Sequence, residues 1–143
     1  MDVFNYLEDD KSSIIQRLNE TAKNYSVWTR DRVFEEAKND FTSIKKHFAR
    51  ETLLENNLKN SVPVQNLLSA VSKLRDEITA EVEQIVEIHV DEPGFEQSLE
   101  TIAKKFSQYA QYCKEKYYPD LKKILSADEL KYIQKQLEQN ILS

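Results

Sequence analysis

Apolar residues recur every three or four positions along most of this chain, which is the pattern of amphipathic helices. A first helix is predicted from Val3 to Tyr25, and a second from about Asp31, whose carboxylate is expected to cap it. The apolar positions are Phe4, Leu7, Ile14, Leu18, Ala22 and Tyr25 in the first helix, and Phe34, Ala37, Phe41, Ile44, Phe48, Leu54 and Leu58 in the second.

Turn and capping residues divide the rest of the chain. A third helix is predicted to start at Ser61 as N-cap, with Pro63 in its first turn, and a turn at 91–94 precedes a fourth helix that Pro119 ends or bends. Ser126 and Glu129 form a capping box that opens a short fifth helix. The helical faces comprise Val64, Leu68, Val71, Ile78, Val82, Ile85 and His89, then Phe95, Leu99, Ile102, Phe106 and Tyr117, then Leu130, Ile133, Leu137 and Ile141.

Four long amphipathic helices joined by short links predict an all-α fold, an up-down-up-down four-helix bundle. The short fifth, C-terminal helix is expected to lie across one end or side of this bundle. The composition agrees, because only one Gly and three Pro occur in 143 residues. A single domain spanning residues 1–143 is expected.

The charge and the cysteine content of the chain limit which kinds of partner and which cellular location the sequence favours. The net charge is −5, and no cluster of Lys and Arg is free of intervening acids, which disfavours nucleic acid and anionic membranes as partners. No stretch approaches the roughly 20 apolar residues of a membrane span, and the N-terminus lacks a signal-peptide core. Cys113 is the single cysteine, which excludes an internal disulfide. A cytoplasmic protein is therefore expected.

Polar and ionisable residues interrupt all four long apolar faces. Because alternate helices run in opposite directions, the interruptions fall at one level, about 10–18 Å from one end of the bundle. A buried polar layer is therefore predicted, since buried ionisable groups are costly unless they are paired. Its members are Lys11 in the first helix, His47 and Glu51 in the second, Arg75 in the third, and Tyr109 and Cys113 in the fourth.

Pairing within this layer can also be predicted. Glu51 is expected to accept a charge-assisted hydrogen bond from Lys11 or Arg75, with the phenol of Tyr109 satisfying a remaining lone pair. Glu55 and Asp76 flank the layer and are candidates to balance the second cation. The ordinary alternatives are a core histidine bonded to a neighbouring acid and long cationic side chains that reach water.

The order of these segments resembles the hemerythrin-like (HHE cation-binding) domains. Those domains carry a histidine in helix one, His-x-x-x-Glu in helices two and four, and a histidine in helix three. An aromatic-Pro pair and a Leu-Ser-x-(Asp/Glu) helix start follow. The corresponding segments here are residues 7–14, 47–51, 74–78, 109–113, 117–119 and 125–129. The resemblance implies a bundle that holds a non-haem diiron centre for oxygen carriage, oxygen or redox sensing, or iron handling.

The chain departs from that family at most ligand positions. Only His47 and Glu51 keep the ligand types, and they are the candidates for a vestigial metal site. Lys, Arg, Tyr and Cys stand where the resemblance places three histidines and a glutamate, at positions 11, 75, 109 and 113. No metal and no other cofactor is therefore expected, and the two cations are expected to supply the positive charge that the metals would have carried.

No catalytic constellation is found, because glycine-rich phosphate loops, Cys-x-x-Cys and a nucleophile elbow are all missing. The leading hypothesis is a non-catalytic, metal-free, hemerythrin-like bundle that serves as a binding or regulatory module for an unknown protein partner. The main alternative is a residual non-haem iron or oxygen-binding protein that uses His47, Glu51, Glu55 and, as a further candidate ligand, Cys113.

Two more hypotheses stay open. Cys113 could be a redox-sensing thiol made acidic by Lys11 or Arg75. The chain could instead be a structural module that forms a homodimer through its fifth helix or through a cluster of tyrosines, which otherwise packs in the core. These tyrosines are Tyr109, Tyr112, Tyr117 and Tyr118.

Overall fold

The computed structural model of this protein describes residues 2–58 and 61–142, and the regular structure in these ranges is helical. A π-helical turn joins α4 to α5 without a break in the helical backbone. The elements are α1 (Val3–Lys23), α2 (Arg30–Glu55), α3 (Val62–Ile85), α4 (Pro93–Tyr112), the π turn (Cys113–Tyr117), α5 (Tyr118–Ile124) and α6 (Ala127–Leu142).

The four long helices pack antiparallel as an up-down-up-down bundle, which confirms the predicted all-α fold class. Helix α1 packs against both α2 and α4, and α4 also packs against α3. The C-terminal helix α6 lies beside α2 and α1. By contrast, α2 and α3 make few contacts with each other, so this side of the bundle is the least closed. None of the described helices combines the length and apolarity needed to cross a bilayer.

Two of the three helix caps predicted from the sequence are present in the structure. The Ser61 hydroxyl accepts a hydrogen bond from the Val64 backbone N–H at 3.3 Å, and Ser126 and Glu129 exchange bonds of 3.0 and 3.1 Å. The predicted cap of α2 by Asp31 is wrong. Thr29 caps that helix instead, because its backbone is extended and its hydroxyl faces the first turn, in which Asp31 lies.

The apolar face predicted for α2 is partly wrong. Phe34 is 50% exposed, and Phe41 and Phe48 are only partly buried. The three rings share the seven-residue spacing of one stripe, and Phe41 and Phe48 pack against the edge of the core. Ala37, Ile44 and Leu54 are buried as predicted. The buried residues of α2 are Val33, Ala37, Asp40, Ile44, His47, Glu51 and Leu54.

Smaller shifts occur in α3 and after it. Leu67 is buried where Leu68 was predicted, and Leu68 is half-buried. His89, placed at the end of the apolar face by its spacing, follows the end of α3 and is 66% exposed beside Asp91. A residue beyond the helix end no longer follows the helical period, so the extrapolated spacing failed there.

Pro119 neither ends α4 cleanly nor stops the helical chain, which continues to Ile124. In a regular α-helix, a proline ring would clash with the carbonyl four residues earlier and would leave it without a donor. The wider π turn precedes Pro119, and in it the Tyr118 N–H donates to the Cys113 carbonyl, five residues back. As a result, the consecutive residues Tyr117 and Tyr118 are both buried in the bundle.

Candidate functional site

The centre of the polar layer is the carboxylate of Glu51, which is fully buried. The Lys11 ammonium lies 3.1 Å from Oε2, and the Tyr118 hydroxyl donates to the same oxygen at 2.7 Å. The Tyr109 hydroxyl donates to Oε1 at 2.6 Å. Lys11 also contacts the Tyr118 hydroxyl and is only 2% exposed. Both oxygens of Glu51 are therefore occupied by donors from three other elements: α1, α4 and α5.

A second carboxylate, Glu55, lies one turn further along α2 and takes the other cation. The Arg75 Nη1 atom lies 2.6 Å from Glu55 Oε1, and the Tyr117 hydroxyl donates to that oxygen at 2.7 Å. Arg75 Nε also donates to the Tyr109 hydroxyl at 2.8 Å. Tyr109 consequently links the two pairs, because it accepts from Arg75 and donates to Glu51.

His47 is held between two acidic side chains. Its Nδ1 atom lies 2.7 Å from Asp10 Oδ2, to which Arg50 also donates at 3.3 Å. Its Nε2 atom lies 3.2 Å from Glu51 Oε1, but the ring is not aligned for a hydrogen bond, and among the described residues this nitrogen has no hydrogen-bond partner. The contact between Nε2 and the Glu51 carboxylate is therefore electrostatic only.

The charges of the layer fix its protonation. Burial opposes ionisation of Glu51, but the positive charge of Lys11, the contact with His47 and the positive charge of Arg75 outweigh it and hold the pKa of that carboxyl far below its usual value. Burial and the charge of Glu51 raise the pKa values of Tyr109 and Tyr118 well above normal. The carboxylate is therefore ionised, and both phenols are neutral donors to it.

Cys113 has the environment of an inert thiol. Its side chain is fully buried beside Tyr109. Burial, together with the charge of Glu51, raises its pKa to about 12. This shift is the opposite of the one that the redox-sensor hypothesis requires, because Lys11 and Arg75 lower this pKa less than desolvation raises it.

The residues of the layer do not fit a diiron centre. Such a centre needs several imidazoles and bridging carboxylates. The charged forms of Lys11 and Arg75 offer no lone pair and repel metal cations. Glu51 already accepts from three donors, and metal binding would require Cys113 as a thiolate. Within the described ranges, no group of three His, Cys, Asp or Glu side chains is arranged to hold a metal ion.

The structure brings the predicted layer residues together: Lys11, His47, Arg75 and Tyr109 surround Glu51, and Cys113 lies next to Tyr109. Of the two flanking acids, Glu55 balances Arg75, whereas Asp76 is exposed and is not part of the layer.

Sequence reasoning missed Asp10, Tyr117 and Tyr118 as members of the layer. Asp10 precedes Lys11 directly but does not lie on the predicted apolar face of the first helix. Tyr117 was placed on the apolar face of the fourth helix and is buried there, but its hydrogen bond to Glu55 was not predicted. Tyr118 lies off that period, and the π turn directs it inward. The pair of large phenols immediately before Pro119 was the available signal for this turn.

A separate buried polar pair joins α1 to α2 and was also missed. The Thr21 hydroxyl donates to Asp40 Oδ2 at 2.7 Å, while Oδ1 has no hydrogen-bond partner among the described residues. Burial raises the pKa of Asp40 to about 6, because the hydrogen bond and the nearby Arg17 offset only part of the desolvation. Asp40 is thus a source of instability at neutral pH.

Comparison of the chain with protein-family models, with curated proteins and with solved structures gives no significant match.

Proposed function

We propose that this protein is a metal-independent helical bundle of hemerythrin-like ancestry that acts as a binding or regulatory module and not as an enzyme. The observation that carries the proposal is the contact of the Lys11 ammonium with Glu51, at the position where the resemblance would place a metal bound by a histidine and this glutamate. The proposal includes the cytoplasmic location that the sequence leads us to expect.

Charge balance supports it. Two carboxylates, Glu51 and Glu55, are paired with two cations, Lys11 and Arg75. Buried carboxylates need such compensation, which metal ions supply in a diiron site. Here fixed side chains supply it, so the bundle can keep its interior ionised without a metal.

The closed state of the layer supports a non-catalytic role. Lys11, Glu51 and Cys113 are at most 2% exposed, and their polar partners lie inside the bundle. The pKa of Cys113, at about 12, disfavours a nucleophilic thiolate at neutral pH. A substrate would have to break the internal pairs to reach these groups. Function is therefore assigned to the surface of the bundle.

A metal-titration experiment tests this proposal. Thermal unfolding of the wild type is followed with added Fe²⁺ under anaerobic conditions, with Zn²⁺, and with chelator. We expect the same midpoint in all three, because a ligand that binds only the folded state would raise it. His47→Ala should lower the midpoint by the same amount with and without metal.

The alternative function, residual non-haem iron binding, predicts a different result. It would draw on His47, whose ring nitrogens face Asp10 and Glu51. In that case Fe²⁺ would raise the midpoint of the wild type, and His47→Ala would abolish the increase. Such a metal-dependent, His47-dependent stabilisation would overturn the proposal.

A further inference from the structure

A groove of about 870 Å³ lies between α2 and α3, where these helices make few contacts. None of the polar-layer residues lines it. Its floor and walls are mainly apolar, and they include Phe34, Phe41 and Ile44 from α2, Val82 and Ile85 from α3, and Phe95 from α4. The groove is therefore a feature independent of the candidate site.

The mouth of the groove exposes large apolar side chains to solvent. Phe34 is 50% exposed, and Val86, just after the end of α3, is 70% exposed. Single exposed apolar residues are common on monomers, but these two border one continuous apolar groove. Contiguous apolar surface of this kind marks an interaction site.

The rims of the groove carry opposite charges. Lys38 and Lys45 line it on α2, whereas Glu83 and Glu87 line it along and just beyond α3. All four side chains are exposed. In the part of the chain that the structure describes, none of the four takes part in an ion pair. The groove thus has one positive rim and one negative rim, both without internal partners.

The charges on the two rims also lie at matching heights. Arg75 of α3 contacts both Glu51 and Glu55 of α2, which sets the relative height of these antiparallel helices. Moving about eight residues, or about 12 Å, away from that contact along each helix reaches Lys45 on α2 and Glu83 on α3. Lys45 and Glu83 are therefore level with each other across the groove.

We propose that this groove is the interface of a two-fold homodimer, with a second copy of the chain as its occupant. A two-fold axis parallel to the groove places α2 of each copy over α3 of the other and preserves height along the axis. Lys45 of one copy then faces Glu83 of the second, and Lys38 lies near Glu87. The exposed rings of Phe34 enter the apolar groove between the copies.

Charge complementarity selects this occupant and this orientation. A two-fold axis across the groove would place lysine over lysine and glutamate over glutamate, which is unfavourable. A ligand with an anionic head group would meet the glutamate rim as well as the lysine rim. A second copy presents both rims in the required order, so the surface is complementary to itself.

Reciprocal charge reversal tests the dimer. Lys38→Glu/Lys45→Glu and Glu83→Lys/Glu87→Lys are compared with wild type by sedimentation velocity, over a concentration series that reaches about 1 mM. We expect the wild type to dimerise and each variant to associate at least about tenfold more weakly, because like charges then face each other. An equimolar mixture of the two variants should restore dimers, since every facing pair is again opposite in charge.

Matched controls separate the interface from folding. Lys104→Glu/Lys131→Glu reverses two exposed charges that do not line the groove and should leave dimerisation unchanged. Phe34→Glu should weaken dimerisation with little effect on folding, because the ring is already half-exposed. Circular dichroism verifies that each variant is helical.

Three results would overturn the inference. They are a monomeric wild type throughout the series, a dimer that survives both charge reversals and Phe34→Glu, and a monomer whose native mass includes a bound apolar ligand. The inference does not depend on the proposed function, because metal content and dimerisation are measured separately. A failure of one therefore leaves the other standing.

Discussion

The ammonium of Lys11 lies 3.1 Å from the carboxylate of Glu51 at the centre of the bundle, where neither side chain is open to solvent. Removing two charges from water costs free energy, and their attraction offsets this cost only when the remaining donors and acceptors are satisfied. Here the phenols of Tyr109 and Tyr118 complete the pairing. The pair is therefore expected to be sensitive to the loss of either partner.

Replacing the central carboxylate should destabilise the fold. Glu51→Gln removes the negative charge that compensates Lys11, so a buried cation loses its partner. We expect the free energy of unfolding, measured in urea at neutral pH, to fall by about 2–4 kcal/mol. Glu100→Gln, at an exposed position, is the matched control and should change it by less than about 0.5 kcal/mol.

The double variant Lys11→Met/Glu51→Gln separates this pairing from general damage. Because the two side chains interact directly, their effects should not add, and the coupling should be about 1–3 kcal/mol. Additive effects, or a loss below about 0.5 kcal/mol for Glu51→Gln, would mean that water enters the layer and that the pair is not buried.

Loss of one phenol should be measurable as well. Tyr118→Phe keeps the ring but removes the hydroxyl that donates to Glu51 at 2.7 Å. A hydrogen bond to a charged group is worth about 1.5–3 kcal/mol, so unfolding should become easier by that amount. Tyr112→Phe, in the same part of the chain but only partly buried, should have little effect. Equal effects of the two substitutions would rule out a specific role for the Tyr118 hydroxyl.

Acid should weaken the fold through Glu51. Its pKa is lower in the folded chain than its usual value of 4.5, so the contribution to stability is complete above that pH and is lost as the pH falls below it. Between about pH 5 and pH 2, wild type should lose more stability than Glu51→Gln, which has no carboxyl at this position to protonate. The test is the free energy of unfolding of both proteins, measured with a chemical denaturant across this pH range. Parallel pH profiles of wild type and Glu51→Gln would contradict the prediction.

Asp40 should give the stability of the fold the opposite dependence on pH. Its pKa is raised from 3.8 to about 6, so its ionisation destabilises the fold increasingly as the pH rises through this interval. Asp40→Asn should therefore be more stable than wild type at about pH 8, by about 1–3 kcal/mol, and the difference should shrink below about pH 4. Asp9→Asn, at an exposed position, is the control. A wild type more stable than Asp40→Asn at about pH 8 would contradict the assignment.

The helical period in the sequence predicted the fold and most of the polar layer. Each polar interruption sits on a helix whose direction follows from the short links, so the heights of Lys11, Glu51 and Arg75 could be worked out from the rise per residue. Ser61 and Ser126 were predictable because their side chains act locally, on backbone N–H groups three residues away.

The missed features depend on the tertiary structure. Phe34 lies outside the core, in the groove between α2 and α3, where these helices make few contacts. The sequence of α2 alone cannot show which of its stripes a neighbouring helix covers. Tyr118 reaches the layer because the chain forms a π turn before it, in which the Tyr118 N–H donates to the carbonyl five residues earlier. This turn shifts the helical period by one residue. The period therefore predicted which side chains face inward up to Tyr117 and failed at Tyr118.

The most direct test of the central claim is elemental analysis of tag-free protein purified without chelators, with its visible absorption spectrum recorded in parallel. We expect no stoichiometric iron and no absorption bands of an oxo-bridged centre, because Lys11 and Arg75 supply the positive charge next to Glu51. About two iron atoms per chain with oxo-bridge bands would contradict it and would assign the layer to a diiron site.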